Sequence, residues 1–185
     1  MKNSKGFSLL ELLVVIAIIM IAAAIGLPNY NNFVRKNRIH NQTKRIYSDL
    51  ASMRIMAMNS NRMHVMQFGL PNNQYQVVED TNGNNLLDPP PLDTVRLVRT
   101  AVTPFTYANV AVSNEAMTLQ AGAFLDDIIR FDSRGVATGV MGSGAVCLPS
   151  GTLVTQTNCV AVELTRQRIG HYDQTNEACN AANCR

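Results

Sequence analysis

The sequence predicts an α+β protein, a long N-terminal helix packed on an antiparallel β-sheet, and three observations predict it. An apolar run from Phe7 to Leu27 carries one early charge, Glu11. Beyond Tyr30, Ile39, Ile46, Leu50, Met53 and Ala57 recur at helical spacing and leave the basic residues on the other side. After Asn61 the apolar period falls to two, and Asn, Gly and Pro clusters separate short β-like runs.

The first two segments read together as one helix from Phe7 to Ser60, interrupted at Gly26 and Pro28. A proline inside a helix removes a backbone donor and clashes one turn back, so a kink or local melting is expected near Ala24–Pro28. Leu12 to Leu27 is uncharged, at the short end of the ~17–25 residues that cross a bilayer. An ordinary secretory signal, with Ala22–Ala24 as its cleavage site, would place Glu11 inside its apolar region, which is also too long for one. Lys and Arg are denser after the span (Arg35, Lys36, Arg38) than before it, the reverse of the positive-inside rule for an exported domain.

The strand-like runs are Met63–Phe68, Tyr75–Glu79, Thr94–Arg99, Ile128–Phe131 and Val160–Thr165. Residues 70–73, 82–85, 89–91 and 139–144 read as the turns between them. The tail from Asp173 reads as irregular and held by its cysteines.

Composition sets further bounds. A chain of 185 residues, 46% of them hydrophobic, fits one membrane helix and one modest globular domain. The formal charge of +3 is too small for a global polycation, but its distribution is uneven. Arg35, Lys36, Arg38, Lys44, Arg45, Arg54 and Arg62 face only Asp49 in their own segment. They form either a solvated helix face or a surface for anionic lipid heads or an acidic neighbour. Cys147, Cys159, Cys179 and Cys184 lack Cys-x-x-Cys spacing, so disulfides in an oxidising compartment are expected rather than a zinc site. Four cysteines allow three connectivities; pairing sequence neighbours gives Cys147–Cys159 with Cys179–Cys184.

Glu11 is the residue that most needs an explanation. A carboxylate in hydrocarbon costs about 2.5–3.5 kcal/mol on insertion scales. Cutting after Gly6 would leave the α-amine of Phe7 one helical turn away, as a partner on this chain or a neighbour. Gly6, Phe7, Glu11, Pro28 and Tyr30 together resemble the class III signal of type IV pilins and type II secretion pseudopilins. The resemblance implies removal of residues 1–6 by a prepilin peptidase, methylation of Phe7, and a helix of residues 7–60 whose half 7–28 waits in the inner membrane. It implies a periplasmic domain over residues 61–185. Assembly would run through Glu11 and the helix, against other pilins or pseudopilins, into a filament that reaches the cell surface.

Residues 129–135, IRFDSRG, look like the strand-and-turn motif of the H-type pseudopilin domain shared with minor pilins. Thr165-Arg166-Gln167-Arg168 matches the closing Gly-Arg-x-Arg of that branch except at its glycine. Some minor pilins bind DNA, and the resemblance implies Arg166 and Arg168 as contacts, on one strand face and without base preference. It also implies a rival disulfide pairing that ties Cys147 to the tail.

Asp80, Asn82, Asn84 and Asp88 place oxygens at nearly alternate positions like the start of a calcium loop. Pro91 stands where a bidentate glutamate belongs and Gly83 comes two places early, so a polar turn is the favoured reading. Catalysis is not expected. His40, His64 and His171 lack companions at motif spacing, residues 142–144 lack the Gly-x-Ser-x-Gly pattern, and no phosphate-binding fingerprint occurs. The sequence reads as a minor pilin of a type IV pilus, with an H-type secretion pseudopilin and a pilus-associated DNA receptor as alternatives.

Overall fold

The computed structural model describes residues 8–102, 106–108, 128–138, 143–148, 150, 153, 155–173, 179 and 181–185. The chain divides into two compact units, Met1–Asn37 and Arg38–Arg185. One helix, α1 (Leu9–Ser60), runs from the first into the second. It starts two residues later than the sequence suggests, where the Ser8 carbonyl accepts the Leu12 N–H and so takes the capping place. The expected melting at Ala24–Pro28 is absent. Helical backbone continues through Gly26 and Pro28, so the helix is not interrupted where the kink or melting is expected.

Among the described residues of the first unit no helix side chain is fully buried, and Leu9, Leu10, Ile18, Ile19, Met20 and Ile21 are all exposed. It is long and apolar enough to cross a membrane.

The described residues of the second unit form two antiparallel sheets where the sequence suggests one. The larger contains β1 (His64–Leu70), β2 (Gln74–Glu79), β3 (Thr94–Thr100), β5 (Ile128–Phe131) and β6 (Ala137–Thr138), in the order β3-β2-β1-β5-β6. The smaller contains β4 (Thr106–Ala108), β7 (Ser143–Cys147), β8 (Cys159–Glu163) and β9 (Gln167–Gly170), in the order β4-β7-β8-β9. Most of the smaller sheet escapes sequence reasoning for a physical reason. The sequence of β7, SGAVC, has little β-propensity of its own, and Ser143–Gly144 lie in it rather than in the expected turn. Short β4 and β6 carry no legible period.

Both sheets use the period of two to build separate cores. Ile39, Ile46, Leu50, Met53 and Ala57 of α1 pack with Met66, Phe68, Tyr75, Val77, Ile129 and Phe131 of the larger sheet. Val146, Val160 and Val162 of the smaller sheet join the same cluster. The alternate residues Ala145, Cys147, Cys159 and Ala161 pack instead with Tyr172, Cys179, Ala181 and Cys184 of the tail. Val65 and Val78, alternating with the helix-facing residues of the larger sheet, meet Met63 and Leu87. Leu87 belongs to the polar loop after β2, which therefore has a buried anchor.

Candidate functional site

Glu11 sits in the first turn of α1, where the positive end of the helix dipole favours a carboxylate. Its apolar neighbours Leu10, Leu12 and Leu13 are exposed with it. A charge ringed by leucines on an open helix surface fits a site completed by lipid or protein outside the chain. Gly6 and Phe7, the expected processing residues, lie outside the described residues.

The cysteines form two disulfides, and the pairing of sequence neighbours is overturned. Cys147 bonds Cys179, and Cys159 bonds Cys184. Cys147 and Cys159 face each other in the β7–β8 register, yet each is taken by the tail that covers their sheet face. The rival that ties Cys147 to the tail is the one realised. Gly170 permits this closure: a Cβ there would stand 2.7 Å from the Arg185 carbonyl oxygen. His171 and Arg185 exchange both backbone hydrogen bonds beside it, so the tail docks along the end of β9. Asn158 holds it from below, donating to the Tyr172 carbonyl and accepting the Tyr172 N–H. Sequence reasoning missed Gly170 and Asn158; a lone glycine ending a strand was the available signal.

Arg166 and Arg168 do not share a strand face as expected. Arg166 precedes β9, in the turn after β8, and only Arg168 lies in the strand. Arg168 donates to the Ala181 carbonyl of the tail, and its Nε lies 3.5 Å from Glu163. Arg166 is exposed, with its Nε 3.9 Å from the same carboxylate. The two arginines thus share one counter-charge, and one of them fastens the disulfide-bonded tail.

The loop with Asp80, Asn82, Asn84 and Asp88 forms a closed polar network. Asp80 accepts the N–H groups of Gly83 and Asn85, while the amides of Asn82 and Asn84 both donate to Asp88. Asp93 accepts from Thr81 N–H and Asp88 N–H, and burial leads the effects that raise its carboxyl above the ordinary range. Gly83 and Asn85 take positive φ, as a polar turn requires. No group of three or more His, Cys, Asp or Glu is placed to hold a metal among the described residues.

Two buried carboxylates that the sequence did not single out organise the larger sheet. Asp49 of α1 accepts from the Tyr75 hydroxyl at 2.7 Å and lies 3.5 Å from Arg99. Burial first, and then that bond to Asp49, push the Tyr75 phenol above its ordinary pKa. Glu79 is ringed by Arg62, His64 and Arg96. Of the other expected basic residues, Arg54 donates to the Thr165 carbonyl, tying α1 to the β8–β9 turn. Arg38 and Arg45 line a cleft of about 300 Å³ above Tyr75. Two of the three histidines take structural places: His40 bonds Thr157, and His64 is buried beside Glu79.

Comparison with known proteins adds the following. Residues 1–27 match the family model of the prokaryotic N-terminal methylation motif. Over 52 residues the chain is 48% identical to Fimbrial protein Q of Moraxella bovis, covering 28% of this chain and 31% of that protein. It is equally similar to the Type IV major alpha-pilin of the same organism, covering 28% and 30%. Over 36 residues it is 56% identical to Prepilin peptidase-dependent protein D of Escherichia coli (strain K12), covering 20% and 25%. The chain thus spans about a third or less of the length of these curated relatives. No solved structure matches it.

Proposed function

We propose that this chain, which belongs to the type IV pilin-like family, is a non-catalytic minor subunit of a type IV filament machine, helping to initiate or cap the pilus. The observation that carries this reading is the opening of α1: Leu9 to Ile21 exposed, with Glu11 the single charge among them. Such a surface suits hydrocarbon, and then the equivalent helices of neighbours in a filament. The prepilin peptidase would cut after Gly6 and Phe7 would be N-methylated. Residues 38–185 would stand in the periplasm until the subunit leaves the inner membrane. Intact-mass and N-terminal peptide analysis of the membrane-extracted protein tests the reading; a mature start at methylated Phe7 is expected. A start after Ala24 would make the segment an ordinary secretory signal and end the assignment.

The H-type resemblance at Phe131 and Gly135 supports a second reading, a type II secretion pseudopilin. In the structure this is a real unit: β5 ends at Phe131, and Gly135 N–H bonds the Asp132 carbonyl in a turn packed on Met58. Deleting the gene discriminates the two. Loss of surface pili with intact protein secretion supports the pilus subunit, and the reverse supports the pseudopilin. The DNA-receptor reading gains nothing from the placement of Arg168 under the tail.

A further inference from the structure

Two of the basic residues after the apolar segment, Arg38 and Arg45, make no hydrogen bond or ion pair to the described residues of the second unit. Arg38 and Arg45 lie seven residues apart, about 10.5 Å along a helix and on nearly the same face, close enough for both guanidinium groups to reach one small group. Both line the 300 Å³ cleft between α1 and the end of β3, together with the amide of Asn41 and the hydroxyl of Thr100. Ala101 and Val102 supply an apolar wall.

The acid beneath does not neutralise this pair. Asp49 already accepts from the Tyr75 hydroxyl and faces Arg99. Tyr75, having given its proton to that bond, offers the cleft a ring and no donor. What remains among the described lining residues is two guanidinium groups, an amide and a hydroxyl beside an apolar wall, with no carboxylate. Carboxylates and phosphates both accept forked guanidinium, but a phosphate monoester presents three terminal oxygens and close to two negative charges against a carboxylate's two oxygens and one, the better match for two guanidinium groups. The volume lies at the lower end of the ~300–1,000 Å³ of small-ligand sites, which suits a head group and not an extended chain.

We propose that this cleft binds a phosphate oxyanion carried on a small organic group, with Arg38 and Arg45 forking the phosphate and Ala101 and Val102 covering its carbon skeleton. A glycerophosphate is the simplest ligand of this kind, whether free or as the head of a phospholipid. The inference does not rest on the filament reading, because binding is measured on the unassembled chain.

The test uses the full chain in dodecyl maltoside micelles and phosphate-free buffer, titrated calorimetrically with glycerol 3-phosphate and with dihexanoyl-phosphatidylglycerol. Saturable binding is expected, weakened about tenfold or more in the double variant Arg38→Gln, Arg45→Gln. The variant Arg35→Gln, Lys36→Gln removes the same charge outside the cleft, and should stay within about twofold of the unaltered chain. Tighter binding of the lipid would assign the phosphate to a membrane head group; equal affinity would assign it to a free phosphoester. Equal losses in the two variants would reduce the effect to diffuse positive charge and overturn the proposal. So would an absence of saturable binding of both probes. Displacement of glycerol 3-phosphate by a single-stranded oligonucleotide that the Arg35→Gln, Lys36→Gln variant no longer binds would also overturn it, in favour of a nucleic-acid track.

Discussion

The two ends of α1 carry apolar side chains of the same kind and opposite fate. Leu9 is 80% and Ile21 65% exposed, while Ile46, Leu50, Met53 and Ala57 are wholly buried. Removing one such large side chain from water is worth about 1.5–3 kcal/mol. The C-terminal half realises that gain inside the chain, against two sheets. The described N-terminal half does not realise it within the chain, and in the proposed reading lipid tails would serve as well as a neighbouring helix, being equally apolar. Apolar contact alone therefore cannot choose between staying in the membrane and joining a filament. In the proposed filament reading Glu11 would supply the preference, because a charge pair strengthens as the dielectric falls and hydrocarbon offers no partner.

The comparison breaks if substitutions at the two ends have the same phenotype. Glu11→Ala is expected to leave insertion and the thermal midpoint of the second unit unchanged, and to lower recovery in sheared filaments tenfold or more. Leu50→Ala should do the reverse: a loss of about 2–5 kcal/mol in folding stability, from the removed side chain and the cavity it leaves. Filaments carrying normal amounts of the Glu11→Ala protein would show that the carboxylate has no assembly role.

The disulfide-bonded tail sharpens the same contrast, since it adds covalent closure where the smaller sheet lacks large side chains. From β7 and β8 the apolar residues packed against the tail are the small side chains Ala145, Cys147, Cys159 and Ala161. The bridges close separations of 32 and 25 residues, each worth about 3.5 kcal/mol in a loop-entropy account. Replacing Cys159 and Cys184 by serine should lower stability by roughly that amount. Non-reduced peptide mapping should recover Cys147 with Cys179; recovery of Cys147 with Cys159 would remove the tail from the core.

Smaller effects are expected at two glycines. Gly170→Ala would press its Cβ on the Arg185 backbone, which has no side-chain freedom to yield, and should cost about 1–3 kcal/mol. Gly135→Ala meets the side chains of Met58 at 2.9 Å and Arg54 at 3.2 Å, and sits at φ +73°, where a Cβ costs about 1–2 kcal/mol. Urea midpoints of the two variants check the order. A Gly170→Ala protein as stable as its parent would mean that the tail docks elsewhere.

What was legible in the sequence follows from how each part is held. The helix and its stripe were readable because one period of 3.6 runs unbroken from Ile39 to Ala57, and all five stripe residues are buried. Ile128–Phe131 appeared as expected because its burial alternates along the strand. The smaller sheet was not readable: β7 and the tail depend on contacts between residues some 30 positions apart, which no local pattern encodes. The Arg166–Arg168 pair misled for a related reason. Alternation predicts a common face only inside a strand, and β9 begins at Gln167. The partners of Asp49 and Glu79 were not legible, because a lone acid shows them only after folding.

His64 gives the finest test, because it is a titratable group held in the well-packed half of the molecule. It is buried, its Nδ1 lies 3.3 Å from the Arg62 carbonyl and its Nε2 lies 3.8 Å from Glu79. Burial is the leading influence and lowers its pKa from 6.5; the Arg62 carbonyl and Glu79 oppose the shift, and Arg96 adds to it. The unfolded chain therefore takes up the proton at a higher pH than the folded one. Between the ordinary value of about 6.5 and the lower folded value, the unfolded state holds more protons, so stability rises with pH. Stability present above pH 6.5 or so is lost as the pH falls through the folded value, and then levels off. Asp93, raised by burial, has the opposite sign, with stability growing as it becomes protonated. The readout is thus the difference between the unaltered protein and His64→Gln, followed through the tyrosine signal in urea from pH 7.5 to 5. That difference should shrink as the pH falls. A constant difference across the range would mean that His64 is not the group that loosens the larger sheet in mild acid.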